Sequence, residues 1–62
     1  MKIEQGQVVI HNKQNKVVML TWGNQAMLAP VVGDDREIVD VRDITGISRV
    51  SPRQAAEEEA KH

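Results

Sequence analysis

Few residues in this chain have the type and spacing for chemistry, and each such group stops short of a reactive site. The two imidazoles, His11 and His62, lie far apart. A bound metal needs three or four convergent ligands, and neither histidine has neighbours spaced to supply them. Asp34, Asp35 and Glu37 offer hard oxygen donors, but without the spaced series of a calcium loop they read as a solvated turn. Ser48 and Ser51 have no paired His and Asp to make a nucleophile. Glu57-Glu58-Glu59 reads as a helix face in water rather than an acid–base pair. No glycine-rich phosphate loop is present. The expectation is a protein that is not an enzyme, with no catalytic residue, no cofactor, no metal and no small-molecule substrate.

What remains is binding. Trp22 is the only aromatic residue among the 62, and tryptophan is enriched where interfaces are strongest. Gly23 leaves the indole open from the turn side. Met19 and Met27 add adaptable apolar surface, and Val17 shares a strand face with Met19. Val17, Met19, Trp22 and Met27 therefore form the candidate protein interface. The alternative set is Lys13, Lys16, Arg42 and Arg49, which would serve a small RNA- or DNA-binding regulator. Asp40 and Asp43 beside Arg42 offset that charge, and a single aromatic residue makes a poor stacking platform for bases.

These side chains sit on short β-type runs bounded by turn residues: Gln7–His11, Lys16–Trp22, Gln25–Val32, Arg36–Ile44 and Gly46–Val50. The cluster Asn12-Lys13-Gln14-Asn15 predicts a hairpin between the first two. In the second run, Val18, Leu20 and Trp22 fall on one face and Val17, Met19 and Thr21 on the other. Both faces are apolar, which suits a strongly bent strand or a subunit contact. Gly23-Asn24 predicts a tight reversal. Pro30 has no amide hydrogen and places its segment at a sheet edge or a strand end. In the fourth run Val39 and Val41 point inward and Asp40 and Arg42 outward, and Thr45-Gly46 breaks it. Ser51-Pro52-Arg53-Gln54 has the features of a helix start. Glu57 with Lys61 and Glu58 with His62 are spaced to pair along that helix. Its apolar face is alanine only, so it reads as a solvated, fraying tail.

The chain divides into a β domain over 1–50 and a polar C-terminal helix or tail over 51–62. So short a domain buries only ~60% of the surface its unfolded form exposes. With no cysteine, neither disulfides nor thiolate zinc sites are open to it. Oligomerisation is the remaining stabiliser. Eight basic residues against nine acidic ones give a formal net charge of −1, so strong non-specific attraction to nucleic acid or an anionic membrane is not expected. No apolar run has membrane-spanning length, and residues 1–5 carry no signal-peptide stretch. A cytoplasmic location is expected.

The stretch Val39-Asp40-Val41-Arg42-Asp43-Ile44-Thr45-Gly46-Ile47-Ser48-Arg49-Val50 resembles the end of Src-homology-3-like and KOW-like small barrels. That resemblance implies a mostly β fold, a small five-stranded antiparallel barrel or bent sheet with a short C-terminal helix, and implies no function. Gly23-Asn24-Gln25 and Val41-Arg42-Asp43-Ile44, with the chain length and the order of five strands then a helix, are similar to the carbon-storage-regulator family of RNA-binding dimers. The amino-terminal segment Met1–Gln7 departs from that family's basic strand, and Pro30 departs from its third strand. The residues themselves point to an interaction or regulatory module, self-associating, whose partner is a protein or a second copy. Nucleic-acid binding is the alternative.

Overall fold

A computed structural model describes residues 2–61. These form five antiparallel strands and one α-helix: β1 (Val8–His11), β2 (Gln14–Trp22), β3 (Gln25–Pro30), β4 (Glu37–Asp40), β5 (Ile44–Ser48) and α1 (Pro52–Ala60). A 3-10 turn, Val41–Asp43, joins β4 to β5. The strands make a single sheet in the order β4-β3-β2-β1-β5. The sheet is unclosed, since β4 and β5 are its two edges.

Local chemistry explains most of the boundaries. Asn12 and Lys13 both take positive φ, 53° and 64°, so the first hairpin turns on two residues and not on the four-residue cluster. Its closing pair is His11 opposite Gln14. Gly23, with φ 53°, turns the second hairpin at no steric cost. Pro30 is the last residue of β3, and β3 is an interior strand, so proline here marks a strand end. Ser51 caps α1 by accepting from the Gln54 amide at 3.1 Å, with Pro52 in the first turn. Ala55 is fully buried, so this helix is seated and is not a fraying tail. Arg53 pairs with Glu57 at 3.6 Å, and Glu57–Lys61 is not among the ion pairs of the described residues. The expected Glu58–His62 pair lies outside the described residues.

Two irregularities shape the sheet. Residues Lys16 to Val18 face Pro30 to Leu28 in β3, but after Val18 the register shifts, so that Leu20 faces Met27 and Trp22 faces Gln25. Met19 is the extra residue of a β-bulge, which bends its strand and raises the local twist. It also reverses the side-chain parity of everything that follows. Leu20 and Trp22 therefore leave the face that holds Val18, contrary to the unbroken alternation of the sequence. A second shift, between Ile10 and His11 in the β1–β5 pairing, leaves Thr45 without a partner.

The fourth run also divides. Val39 and Val41 both pack against the core, as their alternation predicts, but Val41 does so from the 3-10 turn. Asp40 Oδ1 accepts from the Arg42 amide at 3.0 Å, a local bond that competes with strand geometry. Ile44, Thr45 and Gly46 belong to β5, so Thr45-Gly46 lies within a strand and breaks none.

The sheet must curl. Asp40 is level with Trp22 through Gln25, and Ile44 is level with Gln14 through His11. In a flat sheet those positions would stand ~30 Å apart, from strand rise and strand spacing. The four residue steps from Asp40 to Ile44 reach at most ~14 Å. Curling brings the edges together and encloses Val9, Val18, Ala26, Leu28 and Ile44 as the core, with Ile3, Val39 and Val41 against it. Val8 and Ala29 are buried outside that cluster. They lie in one cross-strand row, Ser48–Val8–Val17–Ala29, on the opposite face. Helix α1 begins four residues after Ser48.

Leu28 is fully buried at the centre of this core. Leu28→Ala is expected to cost ~3 kcal/mol through lost transfer energy and a residual cavity. Urea unfolding followed by Trp22 emission reads the effect; a cost near zero would contradict the placement of the core.

Candidate protein-interaction surface

The parity reversal at Met19 assembles a surface that the alternating pattern hides. Leu20 faces Met27, and Met27 faces Ile38. The three side chains thus form one row across β2, β3 and β4, on the convex face away from the core. Leu20 is 49% exposed and Ile38 56%; Met27 is half-buried. The next row on the same face is Trp22, Gln25 and Asp40. Trp22 is 38% exposed, and its indole Nε1 donates to Gln25 Oε1 at 3.2 Å. That bond holds the ring beside the turn with its polar edge satisfied and its apolar body partly open to solvent.

Of the residues expected at an interface, Trp22 and Met27 join this surface directly. Val17 lies on the same face but in another row, half-buried between Val8 and Ala29. Met19 is the bulge residue and has no cross-strand partner. Leu20 and Ile38 complete the surface. Leu20 reads as core by simple alternation, and only a bulge turns it outward. Ile38 carried a signal: it is an apolar residue on the same side as Asp40 and Arg42, the side assigned to solvent.

The basic residues are dispersed. Lys13 occupies the β1–β2 turn. Lys16 faces Val9 on the core side. Arg49 follows Ser48, which pairs with Val8 at the other end of β1 from Lys13. Arg42 lies in the 3-10 turn, its Nε 3.2 Å from Asp40 Oδ1. The fold thus draws no two of them into one row.

Where the curled edges approach, Asn24, Asp40, Val41, Arg42 and Ile44 line an open depression of about 370 Å³. The Val41 amide donates to the Asn24 carbonyl at 2.8 Å, tying the 3-10 turn to the β2–β3 hairpin. Nearby, His11 Nδ1 stands 3.1 Å from Glu37 Oε1. The approach is off-axis for a hydrogen bond, and the buried Nδ1 makes none among the described residues. The contact nevertheless places β1 and β4 together on the concave side, as the curl requires. Among the described residues, no three His, Cys, Asp or Glu side chains converge as metal ligands. No helix among them is long and apolar enough to cross a membrane.

Asp40 carries the joint between β4 and β5, because one oxygen accepts from both the Arg42 amide and its side chain. Asp40→Ala should destabilise by ~1 kcal/mol, the usual cost of a lost cap. Asp40→Asn should cost much less, since its amide oxygen accepts the same backbone bond. Chemical denaturation of the pair decides it; equal losses would show that charge, not capping, matters here. Comparison with family models, with curated proteins and with solved structures finds no match to this chain.

Proposed function

We propose that this chain is a non-enzymatic interaction or regulatory module, which self-associates at its convex apolar row and presents the Trp22 end of that face to a protein partner. The observation that carries the reading is the row Leu20–Met27–Ile38, exposed at both ends and half-buried at Met27, on the convex sheet face. Contiguous apolar surface of this kind on a small protein marks a contact site. The residues beside it are suited to recognition: an indole fixed by one hydrogen bond, and a flexible thioether. A domain with so small a core also gains stability from any association that covers this face.

A Src-homology-3-like architecture fits this reading. A four-strand meander, a 3-10 turn and a fifth strand beside the first support it. A cytoplasmic setting is part of the proposal, as is the nucleic-acid alternative through Lys13, Lys16, Arg42 and Arg49. No observation of the fold favours that alternative over the apolar surface.

Sedimentation of the full chain over a range of concentrations tests the reading, repeated with a mixed oligonucleotide pool. We expect a concentration-dependent mass that is insensitive to salt and to the pool. Ile38→Lys should weaken the association about tenfold, the effect of losing one apolar contact and burying a charge. A strictly monomeric chain would remove the self-association. Binding to the pool that falls steeply with salt would transfer the function to the basic residues.

A further inference from the structure

We infer that the second copy joins edge to edge at β4, antiparallel, about a two-fold axis through Ile38. This inference rests on the self-association proposed above and places its contact at the Ile38 end of the apolar row, leaving the face of the row open.

The sheet has two edges, and they differ. Along β5, pairing with β1 is interrupted at Thr45, and a bulge twists an edge away from further pairing. Pairing of β4 with β3 is regular throughout, from Gln25–Asp40 to Leu28–Glu37. β4 is short and carries Glu37 and Asp40, but unlike β5 it has no irregularity in its pairing. It also carries Ile38, exposed beside unpaired backbone.

The flanking charges select a second copy as the occupant. In an antiparallel pair centred on Ile38, residues whose numbers are symmetric about 38 stand opposite one another. Arg36, the residue before β4, then faces Asp40 of the other copy, and by symmetry Asp40 faces Arg36. Asp40 Oδ1 accepts from Arg42, while its Oδ2 remains open among the described residues. Opposite charges directly across strands stabilise the pairing, whereas like charges oppose it. Centring the axis between Ile38 and Val39 would instead set Glu37 against Asp40, so charge also fixes the register. Arg36 is exposed and makes no ion pair among the described residues. A two-fold interface must be self-complementary in this way.

Pairing in this register has a structural consequence. The row Leu20–Met27–Ile38 meets its copy end to end, so a six-residue apolar stripe runs across the joined sheets. Leu20 stands at the outer ends of that stripe, far from the axis.

The chain is free of cysteine, so single substitutions report proximity cleanly. Ile38→Cys and Leu20→Cys, both at exposed positions, are each oxidised in solution and resolved without reductant, beside sedimentation of the unmodified chain and of Arg36→Asp. We expect Ile38→Cys to form a covalent dimer and Leu20→Cys to remain monomeric. Arg36→Asp should weaken the dimer about tenfold, because two attractive pairs become repulsive. Cross-linking through Leu20→Cys and not Ile38→Cys would overturn the edge pairing while leaving self-association through the convex face. An Arg36→Asp chain that dimerises as well as the unmodified one would overturn the register. A chain monomeric at every concentration would overturn both this inference and the self-association beneath it.

Discussion

One extra residue in β2 governs the rest of this structure. Met19 has no partner in β3, and its insertion bends the longest strand near its midpoint. The bend serves the core, because a core without aromatic side chains must be closed by curling the sheet around Val9, Val18, Leu28 and Ile44. The same insertion reverses side-chain parity beyond it. Val18 is enclosed while Leu20, two positions later, stands half in solvent. Core formation and surface exposure are thus set by a single local irregularity.

The two faces then take different roles. The concave side is committed to stability: its apolar cluster and the 3-10 turn tied to Asn24 hold the curl. The convex side is divided. Its Val8–Val17–Ala29 row is largely buried, and its Leu20–Met27–Ile38 row is largely open. A sheet already curled in the lone chain that exposes an apolar row needs little rearrangement on binding, which lowers the entropic cost of association. An interaction module follows more naturally from this division than a reactive site does.

Much of the architecture was legible in the residues. A first hairpin turn within the Asn12–Asn15 cluster, though not its two-residue length, the Gly23-Asn24 turn, the Pro30 strand end and the Ser51 cap each rest on a few residues whose backbone preference is strong. These depend on local chemistry, which a sequence displays. The bulge was not legible, because a period-two pattern assigns a face to every residue and Val17–Trp22 is apolar on both. Nor was the break at Val41, since Val39 and Val41 do both reach the core and the turn depends on where the Asp40 carboxylate points. Ala55 shows the same limit: an alanine face looks too small to dock a helix, yet a small side chain permits close approach. The candidate surface was half legible. Trp22 and Met27 were found by residue type, while Leu20 was hidden by the parity reversal at Met19.

The most direct measurement of the central claim is the cross-strand pairing of β2 with β3 by nuclear Overhauser contacts in the labelled protein. The bulge predicts Val18 opposite Leu28 and Leu20 opposite Met27, with side-chain contacts continuing from Met27 to Ile38. An unbroken ladder, with Leu20 opposite Ala26, would return Leu20 to the core face and contradict the account.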